Sequence, residues 1–90
     1  MINFLKANST REEMAISLQA IVDGTDFVWG DFTDVVVRDP DLDSLRLKVL
    51  ALELSHPPGP NDYDVSAEGR EIIKGYIREL RSGGSSWLLP

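Results

Sequence analysis

VWGDFTDVVVRDP, residues 28–40, decides the fold. Read as a helix, it leaves a chain made of helical segments alone. Read as a strand over Thr33–Arg38, it calls for a sheet. Val28, Phe32, Val35 and Val36 recur at helical spacing, with Asp31 and Asp34 on other faces and Asp26 in position to cap. Gly30 and the ValValVal run oppose a helix by a few tenths to about 1 kcal/mol each. Context favours the helix: no second convincing strand exists to pair with Thr33–Arg38, and a lone strand leaves its backbone groups unsatisfied. The helix is the preferred reading, and the strand over 33–38 stays open beside it.

Upstream, Ser9 with Glu12 and Thr10 with Glu13 both have capping-box spacing. Met14, Leu18, Ile21 and Val22 then form one helical stripe, and Gly24 is placed to end it in the left-handed region. Residues 1–5, MetIleAsnPheLeu, read as a short first helix or as an extended arm covering the core. Downstream, Asp39–Pro40 reads as a turn or as an N-cap with proline at the first helical position. Leu42, Leu45, Val49 and Leu52 form one stripe; Leu47, Leu50 and Leu54 form a second. A helix apolar on two sides is expected to be central, buried between neighbours. HisProProGlyPro at 56–60 stops it, because proline lacks an N–H and clashes with the preceding turn. Ser66 is placed to cap a last helix over 67–82, with Ile72, Ile73, Tyr76, Ile77 and Leu80 on its apolar face and Arg70, Lys74, Arg78 and Arg81 on another side. Gly83 and Gly84 end it, and SerSerTrpLeuLeuPro follows as a tail that docks back or frays. The expected architecture is all-α: a small four-helix bundle-like single domain over residues 1–90, with a flexible tail at about 83–90.

Ninety residues form one domain with little surface to spare for a deep pocket. With 42 % hydrophobic and 27 % charged residues, the composition is globular. No cysteine is present, which excludes disulfides and thiolate metal sites. No apolar run approaches the roughly 20 residues that span a bilayer, and MINFLKANST falls short of a signal peptide; a cytoplasmic protein is expected. The net charge is −6, and residues 23–43 alone sum to −6 from seven Asp and Arg38. A stretch of that sign disfavours direct nucleic-acid binding and suits a basic protein partner.

Catalytic and metal chemistry find little purchase. His56 is the sole histidine and reads as a solvated helix end, and zinc needs more nitrogen or sulfur ligands than this chain offers. DPDLDS at 39–44 opens like a calcium loop but lacks the central glycine and has Leu50 where the closing glutamate belongs. No phosphate loop, nucleophile elbow or triad is found. No enzyme, no cofactor and no metal is expected. The acidic stretch instead mixes carboxylates with aromatics. With Val28, Phe32 and Val35 facing the core, Trp29 lies about 100° round the helix beside Asp26. Asp26, Trp29, Asp31 and Asp34 are therefore candidate partner-binding residues, a tryptophan anchor within a charged rim. Tyr63, flanked by Asp62 and Asp64 after the proline-rich turn, is the second candidate group; its ring either covers the core edge or faces a partner.

Residues 63–80, TYR-ASP-VAL then a polar spacer, Gly69 and a final amphipathic helix, resemble the C-terminal part of small bacteriocin immunity proteins, most of all the colicin D immunity type. HisProProGlyProAsnAspTyr at 56–63 is also similar to the His-Pro-x-Gly-x-Asp turn of the nuclease-colicin immunity proteins, which there precedes toxin-binding tyrosines; here one tyrosine follows. The resemblance implies a small acidic helical protein of bacterial origin that blocks a basic nuclease toxin. Its carboxylates would occupy the surface meant for phosphates, giving fast, salt-dependent association. The alternative is a helical adaptor or accessory subunit without catalytic activity. In that case Leu47, Leu50, Leu54 and the TrpLeuLeu tail form a homodimer or subunit interface.

Overall fold

The computed structural model describes residues 5–25 and 28–89. They form four helices: α1 (Arg11–Val22), α2 (Val28–Asp34), α3 (Pro40–Ser55) and α4 (Ala67–Ser82), followed by a 3-10 turn at Ser86–Leu88. No strand occurs among the described residues. The fold is all-α.

Each long helix starts on a side-chain cap. Of the two capping boxes the sequence offers α1, the Thr10 frame forms: Thr10 Oγ1 accepts from the Glu13 N–H at 3.2 Å, and Glu13 accepts from the Thr10 N–H at 3.0 Å. Ser9 turns the other way, its Oγ accepting from the Lys6 N–H at 2.8 Å. That bond closes a turn which leaves Leu5 buried at the edge of the core. Asp39 caps α3 and Ser66 caps α4.

α1 and α4 pack antiparallel and make the most extensive helix contact. Arg11, at the start of α1, donates to the carbonyls of Glu79, Leu80 and Gly84 at the end of α4. Arg81 pairs with Glu12 at 3.2 Å on the outside of the same junction. Met14, Leu18 and Ile21 from α1 meet Ile73, Ile77 and Leu80 from α4 in the core. At the opposite end, Gly69 lets α4 approach α3: a Cβ there would stand 2.9 Å from Val65 Cβ and 3.2 Å from His56 Cβ.

α2 runs antiparallel along α3, and three bonds set the register. Trp29 Nε1 donates to Glu53 at 2.8 Å, Arg46 Nη1 donates to the Phe32 carbonyl at 2.7 Å, and the Val37 N–H donates to Asp43 at 2.9 Å. Arg46 is a buried cation, paired with Asp43 at 2.7 Å, and no buried side-chain N or O among the described residues lacks a partner.

Two expectations are corrected. α2 stops at Asp34, so Val35 and Val36 do not extend its stripe. Val35, Val36 and Val37 are instead half-buried, exposed and buried in turn, the alternation of extended chain. The β-branched run leaves the helix as χ1 crowding favours, and it needs no partner strand. The Val37 N–H has Asp43, and the Arg38 N–H has the Ala7 carbonyl at 2.8 Å.

The second correction concerns α3, which is not buried on two sides. Leu42, Leu45, Val49 and Leu52 are buried, whereas Leu47 is 54 % and Leu54 86 % exposed. Among the described residues no further helix covers that face. The tail, for which docking and fraying both stood open, docks through Trp87. Trp87 is 2 % exposed, donates to the Asp41 carbonyl at 2.9 Å and lies under the Arg11 guanidinium, 5.4 Å from its ring centroid. Lys48 Nζ donates to the Trp87 carbonyl from α3.

Candidate functional site

The acidic-aromatic stretch and the tyrosine loop are set by different local chemistry. Trp29, in the first turn of α2, is half-buried against the core and has its indole N–H taken by Glu53. Part of its ring stays open to solvent, with Asp31 half-buried beyond it and Asp34 exposed. Asp34 accepts from the Thr33 hydroxyl at 3.3 Å. The fourth residue of this group, Asp26, lies outside the described residues.

Tyr63 is the most exposed aromatic among the described residues, at 66 %. Its ring lies across Gly24, where a Cβ would stand 3.5 Å from Tyr63 Cδ2. Gly24 itself has φ +75°, so the left-handed turn that ends α1 also makes the shelf on which the tyrosine rests. The loop carrying Tyr63 is tightly pinned. Asp62 accepts from Arg70 Nη2 at 2.8 Å and from the Gly59 N–H at 2.9 Å, so its carboxyl is held below its ordinary value first by the arginine and then by the amide. Arg70 donates a second bond to the Val65 carbonyl at 3.0 Å. Asp64 takes φ +62°, the left-handed region that aspartate tolerates better than most residues, and Val65 is fully buried behind it. The Ser66 N–H closes the loop on the His56 carbonyl at 2.9 Å.

Of the second candidate group, then, Tyr63 faces outward while Asp62 serves chiefly as a brace. Beside the ring opens a depression of ≈ 170 Å³ lined by Ile21, Val22, Asp23, Asn61, Tyr63 and Arg70. Trp29 belongs to the same end of the molecule, where α1 and α3 finish and α2 starts. Asp34 lies more than a turn further along α2. Tyr63 rests on the turn that ends α1, and Trp29 is held against the last turns of α3.

Sequence reasoning missed Glu53, Asp23 and Asn61. Glu53 reads only as a surface acid of α3, and its bond to a residue 24 positions earlier carries no local signature. Asp23 and Asn61 flank the glycine and the tyrosine that signalled turns, but their meeting is a tertiary event. Among the described residues no group of three or more His, Asp or Glu is placed to hold a metal ion, and no helix is long and apolar enough to cross a membrane.

No protein-family model matches this chain, and comparison with curated proteins and with solved structures gives no match.

Proposed function

We propose that this chain is a non-enzymatic protein-binding module whose docking end is built on Tyr63 and Trp29, and whose partner is a basic protein. The observation that carries the reading is the exposure of Tyr63 on a braced loop. Tyr63 stays 66 % exposed, and the Asp62–Arg70 pair in the same loop removes freedom that binding would otherwise have to quench. A pre-ordered aromatic beside a small depression has the form of an interface anchor. Asp23 lines the depression together with Arg70, Asp31 and Asp34 add negative charge along α2, and the net charge of −6 steers a cationic partner from a distance.

The immunity-protein resemblance of residues 56–80 supports a nuclease toxin as the partner class. Its carboxylates and Tyr63 would stand in for the toxin's nucleic-acid substrate. The test is affinity capture from the native host with the intact chain and with Tyr63→Ala, read by mass spectrometry. A basic nuclease held by the first and lost by the second is the expected result, followed by relief of that nuclease's toxicity on co-expression. A partner retained equally by both proteins would move the docking end elsewhere.

A further inference from the structure

The chain has nine lysines and arginines, and Arg70, Lys74, Arg78 and Arg81 stand on one side of α4. Arg70 is turned to Asp62 and to the Val65 carbonyl. The other three line a groove of ≈ 290 Å³ between α4 and α1, together with Gln19 and with Ile77, which is 5 % exposed. No carboxylate is among the lining residues. Acids of both helices are held beside it: Glu71 pairs with Lys74 at 2.6 Å, Glu12 pairs with Arg81 at 3.2 Å, and Asp23 accepts from the Gln19 amide at 3.0 Å. Arg78 makes no ion pair among the described residues. Its guanidinium lies back over Gly75, where a Cβ would stand 3.8 Å from Nη2. The Glu71 carboxyl is held below its ordinary value first by the bond from Lys74, with the charge of Arg78 adding from a distance.

We propose that this groove binds a compact, multiply charged anion of the phosphate class. Arg78 is its first contact, and Lys74 and Arg81 are shared between the ligand and their glutamates. The three cations span seven residues of helix, ~10 Å, and their long side chains can converge on a cluster of oxygens. A guanidinium fork beside two further cations suits phosphate oxygens, which accept several charge-assisted bonds at once.

The groove also selects a small ligand over a large one. No exposed apolar or aromatic side chain lines it, so it lacks the anchors of a protein interface and the stacking platform of a single-stranded nucleic-acid site. Screening limits the field a ligand feels to ~8–10 Å. A small anion therefore samples the three cations, whereas a long polyanion also lies along a surface of net charge −6. The acids of α2 belong to a helix that packs on α1 and α3. Because the groove is open and its cations are solvated, binding is weak, with a dissociation constant of about 1 mM at low salt. The groove shares no residue with the depression beside Tyr63 and is independent of what that end binds.

Amide chemical-shift titration with inorganic pyrophosphate in low-salt buffer tests the proposal, with sodium chloride of equal ionic strength as the blank. Saturable shifts at Gln19 and residues 74–81 are expected. Arg78→Gln should weaken binding by about tenfold and leave the circular-dichroism spectrum unchanged, since Arg78 holds no ion pair of the fold. Arg38→Gln removes the same charge from an exposed residue outside the groove and should change affinity by less than about twofold. Absence of saturable shifts, shifts that chloride reproduces, or an equal loss in the two variants overturns the site. Binding of a single-stranded oligonucleotide or of phosphatidylglycerol vesicles through the same amides, tighter per phosphate than pyrophosphate, overturns the compact ligand.

Discussion

α3 and α4 are both sixteen residues long, and they meet the rest of the protein in opposite ways. α4 sorts its side chains. Ile73, Ile77 and Leu80 are buried, Ile72 and Tyr76 pack at the margin, and cations and acids hold the outside. α3 does not sort them. It carries leucines around most of its circumference, buries one stripe and leaves Leu47 and Leu54 in water. One-sided periodicity names the buried face because burying the polar side would cost too much. Two apolar stripes remove that argument. Either could be the inner one, and whether the second is covered depends on how many other helices the chain has to offer.

The largest effect is expected at the tail that borders α3. Trp87→Ala should destabilise by about 3–5 kcal/mol in urea melts, since it opens a cavity and frees the Asp41 carbonyl. A neutral result would mean that the flank of α3 is open on both sides. Next come the buried stripes. Ile73→Ala on α4 and Leu52→Ala on α3 should each cost about 2–5 kcal/mol, whereas Leu54→Ala should stay within about 0.5 kcal/mol. If Leu54→Ala proves as damaging as Ile73→Ala, the contrast between the helices collapses. The caps should cost the two helices alike, because capping acts on the backbone whatever the faces do: about 1 kcal/mol for Asp39→Ala and for Ser66→Ala.

A pH series sharpens the picture of how α3 is held. The Asp43 carboxyl is held below its ordinary value, first by its bond to Arg46, with burial opposing and the Val37 N–H assisting. A depressed carboxyl contributes stability above its unfolded value of about 3.9, and that contribution is lost as pH falls through the lower folded value. Asp43→Asn should therefore be less stable than the parent at pH 7 and show a shallower further loss below about pH 4 in urea midpoints. The smallest structural effect belongs to the outer acids of α2. Asp31→Asn with Asp34→Asn should leave stability within about 0.5 kcal/mol. The same pair should slow association with a basic partner at low salt, and the difference should fade at high salt.

The helices were legible in the sequence wherever a stripe and its punctuation agreed. Thr10 with Glu13 and Gly24 bound α1, HisProProGlyPro ends α3, and Ser66 and Gly83 bound α4. The ValValVal run was legible only in part. Its helical spacing and its β-branching point to different conformations, and the outcome rests on acceptors at Asp43 and Ala7 that lie elsewhere in the chain. Of the candidate site, the position of Tyr63 after a stiff turn between two acids left two readings open, a ring covering the core edge or one facing a partner, and the structure leaves it 66 % exposed. That Asp62 braces the loop while Glu53 holds Trp29 could not be anticipated, because both bonds join segments that only the tertiary fold brings together.

Arg11 gives the α1–α4 pair a further property. The last carbonyls of a helix ordinarily lack partners, and the terminal turn is the first to open. Here one guanidinium from the first turn of α1 bonds three carbonyls at the close of α4 and lies over the Trp87 ring. The end of α4 cannot loosen without releasing the beginning of α1, and neither can do so while the indole stays seated. In native-state hydrogen exchange, amides from these three segments should open as one cooperative unit, and Arg11→Ala should split that unit into separately fraying ends.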